Sequence, residues 1–159
     1  MSQTDYSVEA AQAFPGLLAD PNANAMIHSF ANEDAALADF GLGYAKGTDA
    51  ATQFKAFAGA GSFAGVLVHR HNTQARQLDG TVGIEQDEVG DILTLGRVWV
   101  LTNEAVTAGE PAYVVHTGAG EIGKFRNDST NAQAVNGRFR STTAGAGLAL
   151  LELIEPVVV

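Results

Sequence analysis

Ile92-Leu93-Thr94-Leu95-Gly96-Arg97-Val98-Trp99-Val100-Leu101 is the stretch on which the fold turns. Its residues are mostly branched, aromatic or aliphatic, the composition of buried strands. Arg97 and Trp99 fall on one face and Val98 and Val100 on the other, the period of two that a strand requires. The pattern predicts two strands, 92–95 and 97–101, joined at Gly96.

Similar short runs lie on either side. Phe40, Leu42 and Tyr44 alternate with Gly41 and Gly43 before Gly47 closes the run, and residues 63–70 read as another strand. Residues 112–116 follow the turn signal Gly109-Glu110-Pro111, residues 122–126 are short, and 137–141 and 148–154 come last. Eighteen glycines suit the many tight turns between them. The runs predict an all-β fold: a compact β-barrel or sandwich-like domain over residues 37–159. In the last strand Leu148, Leu150 and Ile154 lie on one face, and Ala149, Leu151 and Leu153 on the other. A strand apolar on both faces is either central in the core or covered on its second face by a partner. The tail Val157-Val158-Val159 is expected to pack within the subunit or across an interface.

Residues 1–36 read as a separate extended N-terminal arm. Phe14-Pro15-Gly16-Leu17-Leu18 is apolar but broken by Pro and Gly, and Asp20-Pro21-Asn22-Ala23-Asn24 is rich in turn formers. Met26, Ile27 and Phe30 follow without a sustained period. A helical turn is expected to start at Asn32, with Glu33 and Asp34 suited to its first turn. Phe14, Leu17, Leu18, Ile27 and Phe30 are the candidate apolar anchors of this arm on a partner. Removing residues 1–30 is then expected to weaken partner binding and leave the β fold intact. Residues 127–135 read as a loop.

Eighteen Asp and Glu against nine Lys and Arg give a formal net charge of −9. Non-specific nucleic-acid binding needs clustered cations to neutralise phosphates, and nine scattered ones do not supply them. The same sign argues against an anionic membrane surface. No cysteine is present, which removes disulfides and thiolate metal sites. No window approaches the ~20 apolar residues of a spanning helix. Met1-Ser2-Gln3-Thr4-Asp5 lacks the basic start of a secretory signal, so the expectation is a soluble cytoplasmic product. Charged residues are only 17%, below the usual ~25%. That fits a surface another protein covers and equally a compact β domain.

The motifs of chemistry do not assemble into a site. Gly118-Ala119-Gly120-Glu121-Ile122-Gly123-Lys124 has phosphate-loop spacing, but Phe125 stands where a Ser or Thr must hold magnesium; a hairpin loop is the reading. His69 and His71 flank Arg70 on one strand face without an evident third metal ligand. Glu85, Asp87, Glu88 and Asp91 cluster without the spacing of a calcium loop, and read as a solvated loop or a docking surface for basic residues. No Gly-x-Ser-x-Gly elbow occurs. No catalytic residue, cofactor or metal is therefore expected. Arg97 and Trp99 are either interface anchors or a core tryptophan with an arginine stem laid beside it.

Three segments in order then carry a resemblance: Gly90-Asp91 leading to Gly96-Arg97-Val98-Trp99-Val100; Ala108-Gly109-Glu110-Pro111-Ala112-Tyr113-Val114; and Gly137-Arg138-Phe139-Arg140-Ser141 ending in Gly147-Leu148-Ala149-Leu150-Leu151-Glu152-Leu153. With Phe14-Pro15-Gly16 and Phe63-Ala64-Gly65-Val66 upstream, the chain resembles the capsid cement, or head-decoration, proteins of tailed bacteriophages. The likeness is weakest over residues 48–60 and 72–86. It implies a β-barrel-like structural protein of the virion on the outer surface of the capsid, and not an enzyme. It implies the major capsid protein as partner and self-association as a homotrimer. The competing expectations are a tail- or fibre-associated glycan-binding module, which would show exposed aromatics and calcium carboxylates, and a small metal enzyme on a barrel.

Overall fold

The computed structural model describes residues 13–19, 24–59, 61–69, 75–76 and 82–154. The described residues form eleven strands: β1 (Met26–Asn32), β2 (Gly43–Lys46), β3 (Gln53–Ala56), β4 (Phe63–Val68), β5 (Ala75–Arg76), β6 (Val82–Gly83), β7 (Val89–Thr102), β8 (Pro111–Val115), β9 (Phe125–Arg126), β10 (Ala132–Phe139) and β11 (Gly147–Leu153). Among the described residues the short β5 and β6 form a two-stranded sheet of their own.

The nine remaining strands make two closed circuits that share β7. The first runs β1-β3-β2-β4-β7 and closes where β7 pairs antiparallel with β1, from Met26 opposite Leu95 to Ala31 opposite Val89. The second runs β7-β11-β10-β8-β9 and closes where Thr102 meets Phe125 in a parallel pair. The two expected strands at 92–95 and 97–101 are thus one strand of 14 residues. Its first half serves one circuit and its second half, from Gly96 onward, the other. Gly96 adopts φ 123°, a left-handed-side conformation that lets the strand turn from one circuit into the next.

Each circuit has its own filling. Phe30, Tyr44, Phe54, Leu67, Ile84 and Ile92 pack inside the first. Val98, Val100, Val114, Phe125, Phe139 and Leu151 pack with Val66, Val68 and Leu93 in the second core. Strand β4 is buried along its whole length because it is the wall between them: Ala64 and Leu67 face one core, and Phe63, Val66 and Val68 the other. Phe63 and Val66 are three apart yet share a face, so one residue must be extra. The register supplies it, with Tyr44 opposite Gly65 and Ala45 opposite Phe63, a bulge in β4.

Met26–Asn32, assigned to the arm, is β1, held by β7 on one side and β3 on the other. Deleting residues 1–30 is therefore expected to open the first barrel. Asn32 does not start a helix. Its side-chain oxygen accepts the Asp34 amide at 3.1 Å, and its Nδ2 donates to the carbonyls of Ala36 and Ile84, both at 3.0 Å. This local turn satisfies the backbone in place of a helical turn. Residues 132–135, assigned to a loop, belong to β10 and pair with β8; their Ala and Gln carry little strand propensity, and the cross-strand partner decides. Residues 40–42 lie in a turn ahead of β2, although Phe40 is buried. Gln53–Ala56, which had no clear reading, is β3, with Phe54 buried against Tyr44. Strand β11 lies between β7 and β10, with Ala149, Leu151 and Leu153 buried on one face, whereas Leu148 and Leu150 on the other are half-buried and Ile154 is 49% exposed. The tail from 155 onward and residues 20–23 lie outside the described residues.

Candidate functional site

The outer face of the β7–β11–β10 sheet is the first candidate. Val98 and Val100 are fully buried, so Trp99 and Arg97 face outward. The core reading of Trp99 is thereby replaced: it is half-buried on the outside of the wall. Across the ladder Leu150 stands opposite Trp99, Leu148 opposite Leu101, and Glu152 opposite Arg97. Arg138 is opposite Glu152 on the far side, and the Arg140 amide donates to the Leu150 carbonyl. The result is a half-exposed apolar row, Trp99 and Leu150, beside three arginines.

Glu152 is the carboxylate at the centre of those arginines. Arg97 Nε lies 3.1 Å from its Oε1, and the Arg140 guanidinium binds its Oε2. Burial alone would raise Glu152, but the hydrogen bonds from Arg140 and Arg97 outweigh it and hold the carboxyl below its ordinary value. Glu33, Asp49, Glu110 and Asp128 are also lowered, chiefly by hydrogen bonds from Thr48, Thr52, Asn127 and Thr130 respectively. A carboxyl lowered in the folded state stabilises above its unfolded pKa, and that contribution disappears as pH falls through the folded one. Melting temperature is therefore expected to be level from neutrality to about pH 5 and to fall below about pH 4. Thermal unfolding followed by circular dichroism across this range checks it, and a rise on acidification is the contrary result.

The second candidate is the apolar leader. Residues 16–19 lie along the remaining edge of β7, with Leu18 opposite Val98. The Gly16 amide donates to the Trp99 carbonyl at 2.7 Å, Trp99 to Leu17 at 2.9 Å, and Ala19 to Arg97 at 3.0 Å. Leu18 and Ile27 pack on the second core, and Phe30 is 5% exposed inside the first barrel. Phe30 is accordingly a core side chain and drops out of the set of available anchors. Phe14 is 44% exposed, and Leu17 is intermediate. Phe14 stands edge-on to His69 with ring centres 5.1 Å apart, and His69 edge-on to Phe40 at 4.8 Å. These rings, with Pro15 and Leu101, line an open groove of 390 Å³. Asp39 also lines it, its carboxyl raised by burial.

The remaining motifs resolve simply. Gly118–Gly123 joins β8 to β9, an antiparallel pair, and Lys124 Nζ binds Glu121 at 3.1 Å. The acidic cluster divides: Glu85, Asp87 and Glu88 are exposed in a turn, whereas Asp91 is buried and accepts the Ser29 hydroxyl at 2.9 Å. His71 lies outside the described residues, and His69 is held between aromatic rings. Among the described residues no three His, Cys, Asp or Glu side chains come together as a metal site would require. Sequence reasoning had singled out Arg97 and Trp99 but not Arg138, Arg140 and Leu150 beside them. The alternation of Arg138 and Arg140 around the buried Phe139 is the signal that would have found them.

A family model described as "Structural cement protein (E217 gp24/Pam3 gp6)" matches residues 1–154. A chain of the solved structure "The capsid of Myoviridae Phage XM1" shares 19% identity, with a TM-score of 0.73 over 98% of this chain and 98% of that chain. At that identity the likeness is one of fold. No curated protein matches the chain.

Proposed function

The chain belongs to the family of phage structural cement proteins and has a structural role in the phage capsid, and from that premise we propose that it binds the outer surface of the head between major capsid proteins. It acts there as a homotrimer and holds the shell against the pressure of packaged DNA. The observation that carries the reading is the family match over residues 1–154. The physics is additive. A trimer that grips several coat subunits converts weak contacts into tight attachment through effective concentration, and bridging between neighbours resists expansion without chemistry.

The leader is the segment of this chain that reaches coat protein. Its backbone is fixed on β7, and it presents Phe14 at the mouth of the aromatic groove with Leu17 beside it. Leu18 and Ile27 hold the segment down from within. Copy number is the deciding measurement: mass spectrometry of purified particles should give about as many copies of this chain as of the major coat protein. A few per cent or less indicates a tail or vertex component and sinks the reading. Phe14→Ala is expected to leave stability within about 0.5 kcal/mol and to weaken binding to undecorated capsids by about 1–2 kcal/mol, five- to thirtyfold. Unchanged binding would remove Phe14 from the contact.

A further inference from the structure

The chain is acidic overall, yet Arg97, Arg138 and Arg140 converge on one face where, among the described residues, Glu152 is the one carboxylate in ion pairs with them. Arg138 donates to the Gly109 carbonyl at 3.0 Å and pairs with no carboxylate among the described residues. Beside the arginines lie Trp99 and Leu150, both half-buried. Such a face combines cations with a rigid aromatic anchor, the combination that binding surfaces favour. Its complement is present on the same molecule. Glu85, Asp87 and Glu88 project from the turn before β7 with no cation against them in any ion pair among the described residues. Val89 next to them is 52% exposed.

The two patches do not meet within one subunit. Val89 begins β7 and Arg97 lies eight residues along it, about 26 Å at the rise of a strand. The Debye length at physiological salt is about 8 Å, so the patches do not attract each other across that span either. Two different, complementary surfaces on one chain make a head-to-tail contact, the kind that closes copies into a ring.

We propose that the Arg97–Arg138–Arg140 face, with Trp99 and Leu150, binds the Glu85–Val89 turn of a second copy of this chain. This rests on the trimeric cement reading and names the surfaces that join its subunits. Glu152 then serves to hold Arg97 and Arg140 extended side by side, ready to receive the incoming carboxylates.

The test is sedimentation velocity of the full-length protein, without capsids, over a concentration series at low and high salt. Salt-sensitive association is expected. Arg138→Glu alone, and Glu85→Lys with Glu88→Lys, should each weaken it at least tenfold. The chain carrying all three changes should regain most of the loss, which also shows that neither set acts by unfolding; circular dichroism melts check the fold directly. A protein that stays monomeric at every concentration, or variants that associate like the wild type, would overturn the proposal. So would variants that self-associate normally but bind capsids poorly, because the face would then belong to the coat protein. Particle copy number tests the cement reading separately, so failure of one is distinguishable from failure of the other.

Discussion

Gly65→Ala is expected to abolish stable folding or to cost about 4 kcal/mol or more. Gly65 has φ 145°, a region that side chains rarely enter. A Cβ there would lie 2.3 Å from the Leu93 carbonyl oxygen and 2.6 Å from Ile92 Cγ2. Neither neighbour has room to yield, because Leu93 and Ile92 are fully buried in the two cores. The glycine also adjoins Ala64, the extra residue of the bulge by which β4 faces both cores in the right order. Losing it would force a slip that turns a row of apolar side chains to the wrong side. Gly145→Ala is the control. Nothing lies within 4 Å of a Cβ placed there, and a change of no more than about 0.5 kcal/mol is expected. Urea unfolding of the two variants measures both, and a stable, cooperatively folding Gly65→Ala protein would show that the bulge is dispensable.

Deleting residues 1–30 is expected to eliminate the cooperative unfolding transition, whereas deleting residues 1–19 is expected to lower the melting temperature and leave a folded core. The longer deletion removes most of β1 and with it the seam that closes the first barrel. It also removes Phe30 from the interior. The shorter one removes the leader's hydrogen bonds to β7, worth about 1 kcal/mol net each, and bares an edge inviting non-specific strand pairing. Only the shorter deletion is therefore a fair probe of capsid attachment, and its binding should fall further than that of Phe14→Ala. Calorimetry distinguishes the outcomes. A deletion of residues 1–30 that melts like the intact chain would contradict the role of β1.

What the sequence made legible was local. Val98 and Val100 against Arg97 and Trp99 marked the second half of β7, and Gly96 marked its bend. Ala149, Leu151 and Leu153 marked the buried face of β11. What stayed hidden depends on partners distant in the chain. Strand β1 carries Ser29 and Asn32 among its apolar residues, and becomes a strand because Gly90–Leu95 lies across from it. Four-residue β3 has one aromatic residue, Phe54, beside Gln53 and Lys55, and its pairing with β1 and β2 decides its state. Phe30 and Phe14 look alike as sequence, both lone phenylalanines in an irregular stretch. Barrel closure buries one and leaves the other at a groove. Asp91 likewise reads as part of an acidic run until Ser29 is placed beside it. The candidate face was half legible for the same reason: Arg97 and Trp99 were visible in one strand, and the neighbours that make them a surface come from two others.

The sharing of β7 by both barrels has a mechanical consequence. A strand rises about 3.3 Å per residue, and a fully extended chain reaches at most about 3.6 Å. Fourteen residues so nearly taut have little slack to release. A pull that tends to draw the two lobes apart along β7 meets covalent backbone almost at its limit, clamped at one end by β1 and β4 and at the other by β11. The ladders are then loaded along their length, so many hydrogen bonds resist together and none can peel in turn. The strand works as a tie bar, stiff along its axis, with its compliance gathered at the register shift around Thr94 and at Gly96.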